Sequence, residues 1–169
     1  MSSTTSGVFW DASALVKGYA QEEGTPNVKS AFALPDIREF VTEFVALEVI
    51  TALGKKYRTG QITKKVYRNG LDEFRHDFDN EFDVLELERR TREHSLRLAE
   101  KYQKLGTSAL DILHLASARQ AAALCHPRPL VVLCADKPLI EAARAEGLGV
   151  YNPETHPHAA LRTALSLRS

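Results

Sequence analysis

Apolar residues fall along this chain in two textures. Short unbroken runs, Val8-Phe9-Trp10 and Leu130-Val131-Val132-Leu133, each lead into an acid, at Asp11 and Asp136. Longer segments between them repeat apolar positions at helical spacing. Continuous runs suit strands covered on both faces, and the 3.6-residue repeat suits amphipathic helices. Read in order, the chain opens with a strand ending at Trp10, a short helix through ALVKGYA, a turn at Glu22–Pro26 and a modest helix over 27–32. IREFVT (37–42) is a second strand. A helix follows over 44–60, closed by basic residues and Gly60. Its stretch from Phe44 to Leu53 is apolar nearly all round, which predicts a buried helix. Val66, Tyr67, Leu71, Phe74 and Phe78 mark another helix over 63–79, with Gly70 as its weak point. A short strand over 82–88, an amphipathic helix over 89–106 and a strongly apolar helix opened by Thr107-Ser108 come next. LVVLCAD (130–136) is a strand, a helix starts at Asp136-Lys137-Pro138, 148–151 is a last short strand, and AALRTALSL closes the chain as a helical tail.

Strands alternating with helices predict the α/β class: a three-layer α/β/α sandwich around a mainly parallel sheet. The 169 residues read as one domain, with a core over about 7–153 and a tail over 154–169. Composition changes little in this picture: 44% apolar and 26% charged residues are ordinary for a soluble globular chain. Lys and Arg (22) balance Asp and Glu (22), so a nucleic-acid partner would need a local basic patch. No apolar run approaches the roughly 18 residues of a membrane span. The start, MSSTTSG, lacks the basic and apolar regions of a secretory signal. Cys125 and Cys134 form neither a zinc spacing nor a disulfide framework, which suits a reducing compartment. A cytoplasmic protein without membrane contact is the expectation.

Four acids stand in unusually apolar surroundings: Asp11 in VFWDASAL, Glu48 in FVALEVITAL, Asp111 in SALDILHLA and Asp136 in VVLCADKPL. A charge so placed is costly unless it is paired or ligated. Asp11 and Asp136 both follow strands, so they belong on one edge of a parallel sheet, the edge where open α/β sheets bind ligands. Each acid also has a plain structural role open to it. Asp11 and Asp136 suit helix N-caps, Ser108-x-x-Asp111 suits a capping box, and Glu48 could pair with a buried Arg or Lys. If the four converge they cannot all stay charged unaided, since two carboxylates about 5 Å apart repel by roughly 3 kcal/mol at an effective dielectric near 20. A hard divalent cation resolves the conflict, and an all-oxygen set points to Mg²⁺ or Mn²⁺. Such a centre suits phosphodiester hydrolysis.

With these residues in view, the chain resembles the PIN-domain family, in particular its VapC-type toxin ribonucleases. VFWDASALVK, FVALEVITALGKKYRTGQIT, LDILHLASA and VVLCADKPLIEAARAEGLGVYNP carry the resemblance in the family's order. It leaves residues 61–106 and the tail less constrained. The resemblance implies an α/β/α fold, a Mg²⁺ or Mn²⁺ site, cleavage of single-stranded RNA, a cognate antitoxin that blocks the site, and a homodimer. It makes Asp11, Glu48, Asp111 and Asp136 the metal-binding quartet and Ser13 a small polar residue that positions a ligand or water. Cys134 departs from the Thr or Ser often found two residues before the last acid, which puts a supporting hydrogen bond in question. Glu43 rivals Glu48. His114, one helical turn after Asp111, reads as a core histidine within reach of the site. His156 and His158 read as loop residues. Lys55, Lys56, Arg58, Lys64 and Lys65 form a basic cluster that is either a solvated face or a phosphate contact. Alternatives to the toxin reading are an RNA-processing nuclease of the same family, a non-catalytic RNA- or protein-binding scaffold, and phosphoryl transfer through Asp11. The last usually needs a second Asp where this chain has Ser13.

Overall fold

The computed structural model describes residues 5–167. Five strands alternate with helices: β1 (Gly7–Trp10), α1 (Ala12–Leu15) running into a 3₁₀ turn at Val16–Gly18, α2 (Thr25–Phe32), β2 (Arg38–Thr42), α3 (Val45–Arg58), α4 (Lys64–Asn80), β3 (Asp83–Leu85), α5 (Arg89–Tyr102), α6 (Ala109–Cys125), β4 (Leu130–Leu133), α7 (Lys137–Ala145), β5 (Gly149–Tyr151) and α8 (His158–Ala164). All four strand pairings are parallel, in the order β3-β2-β1-β4-β5. The expected α/β/α sandwich is the fold observed.

Alternate residues of each strand feed two separate cores. Val8, Trp10, Val41, Val131 and Leu133 face one layer, built mainly from α1 to α4. Phe9, Phe40, Leu130, Val132 and Cys134 face the other, built from α5, α6 and α7. This double coverage explains why the strands read as continuous apolar runs. The tail joins the first layer: Leu161 and Leu165 are fully buried there, and the Ser6 hydroxyl donates to the Leu165 carbonyl at 3.0 Å.

The chain leaves β1 toward β2 on one side, and β4 returns on the other side of β1. The crevice between β1 and β4, at their carboxyl ends, is therefore the topological switch point of the sheet. Asp11 follows β1 and Asp136 follows β4, so the fold places both at that crevice.

One expectation needs correcting. Helix α3 is not buried all round: Val45, Val49 and Leu53 lie at i, i+4, i+8 against the core, while Leu47 is 70% exposed. Leu47 projects from the outer face, whereas Ala46, Ile50 and Ala52 are half-buried against the core. Gly70, the suspected weak point of α4, has a packing reason. A β-carbon there would stand 2.6 Å from the Tyr19 carbonyl oxygen. Tyr19 is itself locked by an edge contact with Phe74 (5.3 Å between rings) and a 2.8 Å hydrogen bond to Asp77. Gly70→Ala gains about 1 kcal/mol of helix propensity, but overpacking against backbone costs roughly 1–3 kcal/mol. The expected outcome is a lower urea midpoint with an unchanged m-value; a stabilised variant would refute the close approach.

Candidate metal centre

Asp11 ends β1 in extended conformation, and its backbone N–H donates to the Leu133 carbonyl at 3.0 Å. Its side chain is buried among the layers, with 4% exposure. Oδ2 accepts from the Ser13 N–H at 2.9 Å and from the Ser13 hydroxyl, so Asp11 caps α1. Ser13 Oγ also accepts from the Ala135 N–H at 2.9 Å, which ties the β1–α1 turn to the β4–α7 turn. Cys134 Sγ lies 3.6 Å from Asp11 Oδ2 and accepts from the Asp136 N–H at 3.3 Å. The thiol thus stands where the resemblance led us to expect a hydroxyl, and it keeps the contact to the acid.

His114 links the other side of the centre. It is 1% exposed, with Nε2 2.5 Å from Glu48 Oε2 and 4.0 Å from Asp11 Oδ1, and Nδ1 3.2 Å from Thr42 Oγ1. It is a satisfied buried histidine, as its apolar helix suggested. Its two ring nitrogens are satisfied by Glu48 and Thr42, with the Asp11 carboxylate close by. Burial alone would pull its pKa down, but the Glu48 hydrogen bond and the charges of Asp11, Glu48 and Asp111 turn the net shift upward. Protonated, His114 donates on both sides and spreads a positive charge between two carboxylates.

Glu48 rather than Glu43 reaches this centre. Glu43 Oε1 instead accepts from the Leu87 N–H at 3.0 Å, beyond the end of β3. Asp111 forms the capping box of α6: its Oδ2 accepts from the Ser108 N–H at 2.6 Å and the Ser108 hydroxyl accepts from the Asp111 N–H at 3.2 Å. Asp136 caps α7 through Oδ1, which accepts from the Leu139 N–H at 2.9 Å. The structure therefore joins Asp11 and Glu48 through His114, and joins Asp136 to Asp11 through Ser13, Ala135 and Cys134. Asp111 meets them only through its charge on His114, one turn along α6. Among the described residues, no three His, Cys, Asp or Glu side chains are already gathered as a ligand set.

The donor chemistry nonetheless suits a hard cation. Each of the four acids commits one oxygen to a cap or to His114, and its other oxygen, Oδ1 of Asp11 and Asp111, Oδ2 of Asp136 and Oε1 of Glu48, makes no hydrogen bond. Carboxylate oxygens of this kind are the ligands that Mg²⁺ or Mn²⁺ takes, and Asp11 and Asp136 bring them to the switch-point crevice. Of the remaining candidates, His156 Nδ1 accepts from the Asn152 N–H at 3.0 Å and His158 begins α8, so both stand apart from the acids.

The family model of the PIN domain matches residues 8–144. The chain belongs to the PIN-domain family. That family consists of phosphodiester-cleaving nucleases. No curated protein sequence matches the chain. Solved structures share the PIN fold at low identity. A toxin–antitoxin complex from Klebsiella pneumoniae aligns at 18% identity and TM-score 0.57, covering 86% of this chain and 97% of that one. FitAcB from Neisseria gonorrhoeae aligns at 14% and 0.58, covering 88% and 99%. VapBC2 from Rickettsia felis, bound to a promoter DNA fragment, aligns at 11% and 0.58, covering 86% and 98%. No helix among the described residues is long and apolar enough to cross a membrane.

Burial is the main reason the Asp11 carboxyl is held above its ordinary pKa of 3.8, with the Glu48 charge adding to it and His114 and Ser13 opposing. A carboxyl whose pKa is higher folded than unfolded destabilises the fold as pH rises through the folded value, and its cost vanishes below the unfolded value. Asp11→Asn, read in EDTA, is therefore expected to unfold at higher temperature than the wild type at pH 8. The gap should close as pH falls toward 3.8. A variant less stable than wild type at pH 8 would contradict the assigned burial cost.

Proposed function

We propose that this PIN-domain protein is a metal-dependent endoribonuclease that acts as the toxin of a toxin–antitoxin pair. Asp11, Glu48, Asp111 and Asp136 would hold Mg²⁺ or Mn²⁺ through their uncommitted oxygens, and the reading is supported by Asp11 and Asp136 at the switch-point crevice of a PIN fold, with Glu48 joined to Asp11 through His114. The ion, when bound, supplies the positive charge an attacked phosphodiester needs and the acidity that makes water a nucleophile near neutral pH. The protein's part is positional. Ser13 and Cys134 hold Oδ2 of the Asp11 carboxylate, so the orientation of the side chain is set before any ligand arrives. His114 fixes Glu48 in the same way and offsets repulsion between the acids. Ser13 stands where phosphoryl transfer through Asp11 usually needs a second Asp, which favours the metal centre over that route.

The toxin assignment is supported by the structural relatives, one of which is a toxin–antitoxin complex from Klebsiella pneumoniae. It brings with it a cognate antitoxin that covers the crevice, a homodimer in the cytoplasm, and RNA rather than DNA as substrate.

Purified protein incubated with total RNA should give discrete products with Mg²⁺ or Mn²⁺ and none with EDTA. Asp11→Asn should lower the rate on the order of a hundredfold or more while keeping a cooperative unfolding transition. Metal-independent cleavage, or an Asp11→Asn variant at wild-type rate, would defeat the reading. Equal cleavage of single-stranded DNA would keep the metal centre and defeat the RNA assignment.

A further inference from the structure

Two cavities flank the acidic centre and share a wall. The first, of about 450 Å³, has Ser13 and Asp136 on the side of the acids and Lys17, Lys55, Lys56 and Gln61 around the rest. The second, of about 380 Å³, is an apolar groove formed by Leu47, Thr51 and Leu110 beside Glu48. Ala52 and Lys55 belong to both. Each volume lies within the range of roughly 300–1,000 Å³ that holds one small ligand group.

The cations of the first cavity are not equivalent. Lys17 is nearly buried and pairs with Glu154 at 2.6 Å and Glu22 at 3.5 Å, and Lys56 pairs with the same Glu22 at 3.2 Å. These four side chains form a closed network in which positive and negative charges balance. Lys55 Nζ and the Gln61 amide, by contrast, have no hydrogen-bond or ion-pair partner among the described residues. The cavity therefore presents a braced polar wall and two uncommitted donors, directly beside Asp136. Arg58, Lys64 and Lys65, from the same basic stretch of sequence, line neither cavity.

A single nucleic-acid strand repeats an anionic phosphate and a flat apolar base. A strand with its scissile phosphate at the acids must extend past them in both directions. One direction offers apolar surface beside Glu48, the other offers donors beside Asp136, and Lys55 stands on the divide. We infer that single-stranded RNA crosses the centre over Lys55, with one base on Leu47 and Leu110 and the neighbouring phosphate in the polar cavity, bound by Lys55 and Gln61. This path rests on the nuclease reading above. It also accounts for the outward position of Leu47 on α3. Along this path Lys55 and Gln61 offer an anionic strand local donors that the chain's zero net charge does not supply globally.

The test is binding of a fluorescently labelled single-stranded RNA oligonucleotide to the full-length protein in EDTA, followed by anisotropy across a salt series. Lys55→Ala should weaken binding roughly three- to tenfold and lower the salt slope by about one. Adding Gln61→Ala should weaken it further. The double variant Lys64→Ala/Lys65→Ala removes more charge outside the path and should stay within roughly twofold of wild type. In Mg²⁺-dependent cleavage, Lys55→Ala should raise KM and leave kcat near wild type. Unchanged affinity in Lys55→Ala, or an equal loss in the Lys64/Lys65 variant, overturns the path. Leu47→Ser should weaken RNA binding without altering the sedimentation coefficient. A changed sedimentation coefficient with unchanged RNA affinity would assign the groove to a second copy of the chain and overturn the base-binding half. The two readings fail differently. Lys55-dependent RNA binding without any metal-dependent cleavage defeats the nuclease, whereas metal-dependent cleavage indifferent to Lys55 defeats the path alone.

Discussion

The structure turns on one costly act, the burial of the Asp11 carboxylate at the carboxyl end of the central strand. An isolated charge with 4% exposure costs several kcal/mol unless its neighbours replace the water it has lost. The neighbours that do so come from three different parts of the chain. Ser13 belongs to the helix that follows, Cys134 to the end of β4, and His114 to α6, which in turn holds Glu48 of α3. Satisfying one carboxylate therefore fastens the turn after β1 to the turn after β4, and the two helical layers to each other across the sheet edge. The interactions that assemble the acidic crevice also close that edge of the fold.

This also dissolves a choice posed by the sequence. Asp11, Asp111 and Asp136 each suit a helix cap, and each suits a metal ligand, as though the two roles excluded one another. All three are caps. A carboxylate has two oxygens, and capping uses one. The cap anchors the side chain to a helix start, where the backbone dipole favours negative charge, and points the remaining oxygen in a fixed direction. Structural duty is the means by which these acids are preorganised, so finding a cap does not count against a ligand.

Class and most elements were legible because the signals were local: apolar runs, helical spacing, capping residues and terminal glycines. Strand order was not, since nothing in periodicity says that β4 returns beside β1. Helix α3 misled because an apolar face that meets the sheet and one that meets something else look alike in sequence; only packing separates Val49 from Leu47. The tail was read as a possible helix, but its contribution to the core through Leu161 and Leu165 depends on contacts some 150 residues away. Of the site, the four acids stood out by their surroundings. His114 was seen as buried without sight of its partners, because helical spacing tells which face a side chain occupies and not what arrives opposite. Its position one turn from Asp111 was the available signal.

Cys134 bears on which metal such a centre would accept. A thiolate among carboxylates would soften the donor set and favour zinc. Here burial raises the thiol's pKa far above its ordinary value, and the negative charge of Asp11 pushes it further in the same direction. With no cation bound, burial and the neighbouring charge therefore favour the protonated thiol. It can hydrogen-bond to Asp11 and receive the Asp136 N–H, the two services a hydroxyl would give, without adding a negative charge to a crowded cluster. Cys134 thus serves the acids as a neutral hydrogen-bonding group, and the donors the four acids themselves offer are hard oxygens.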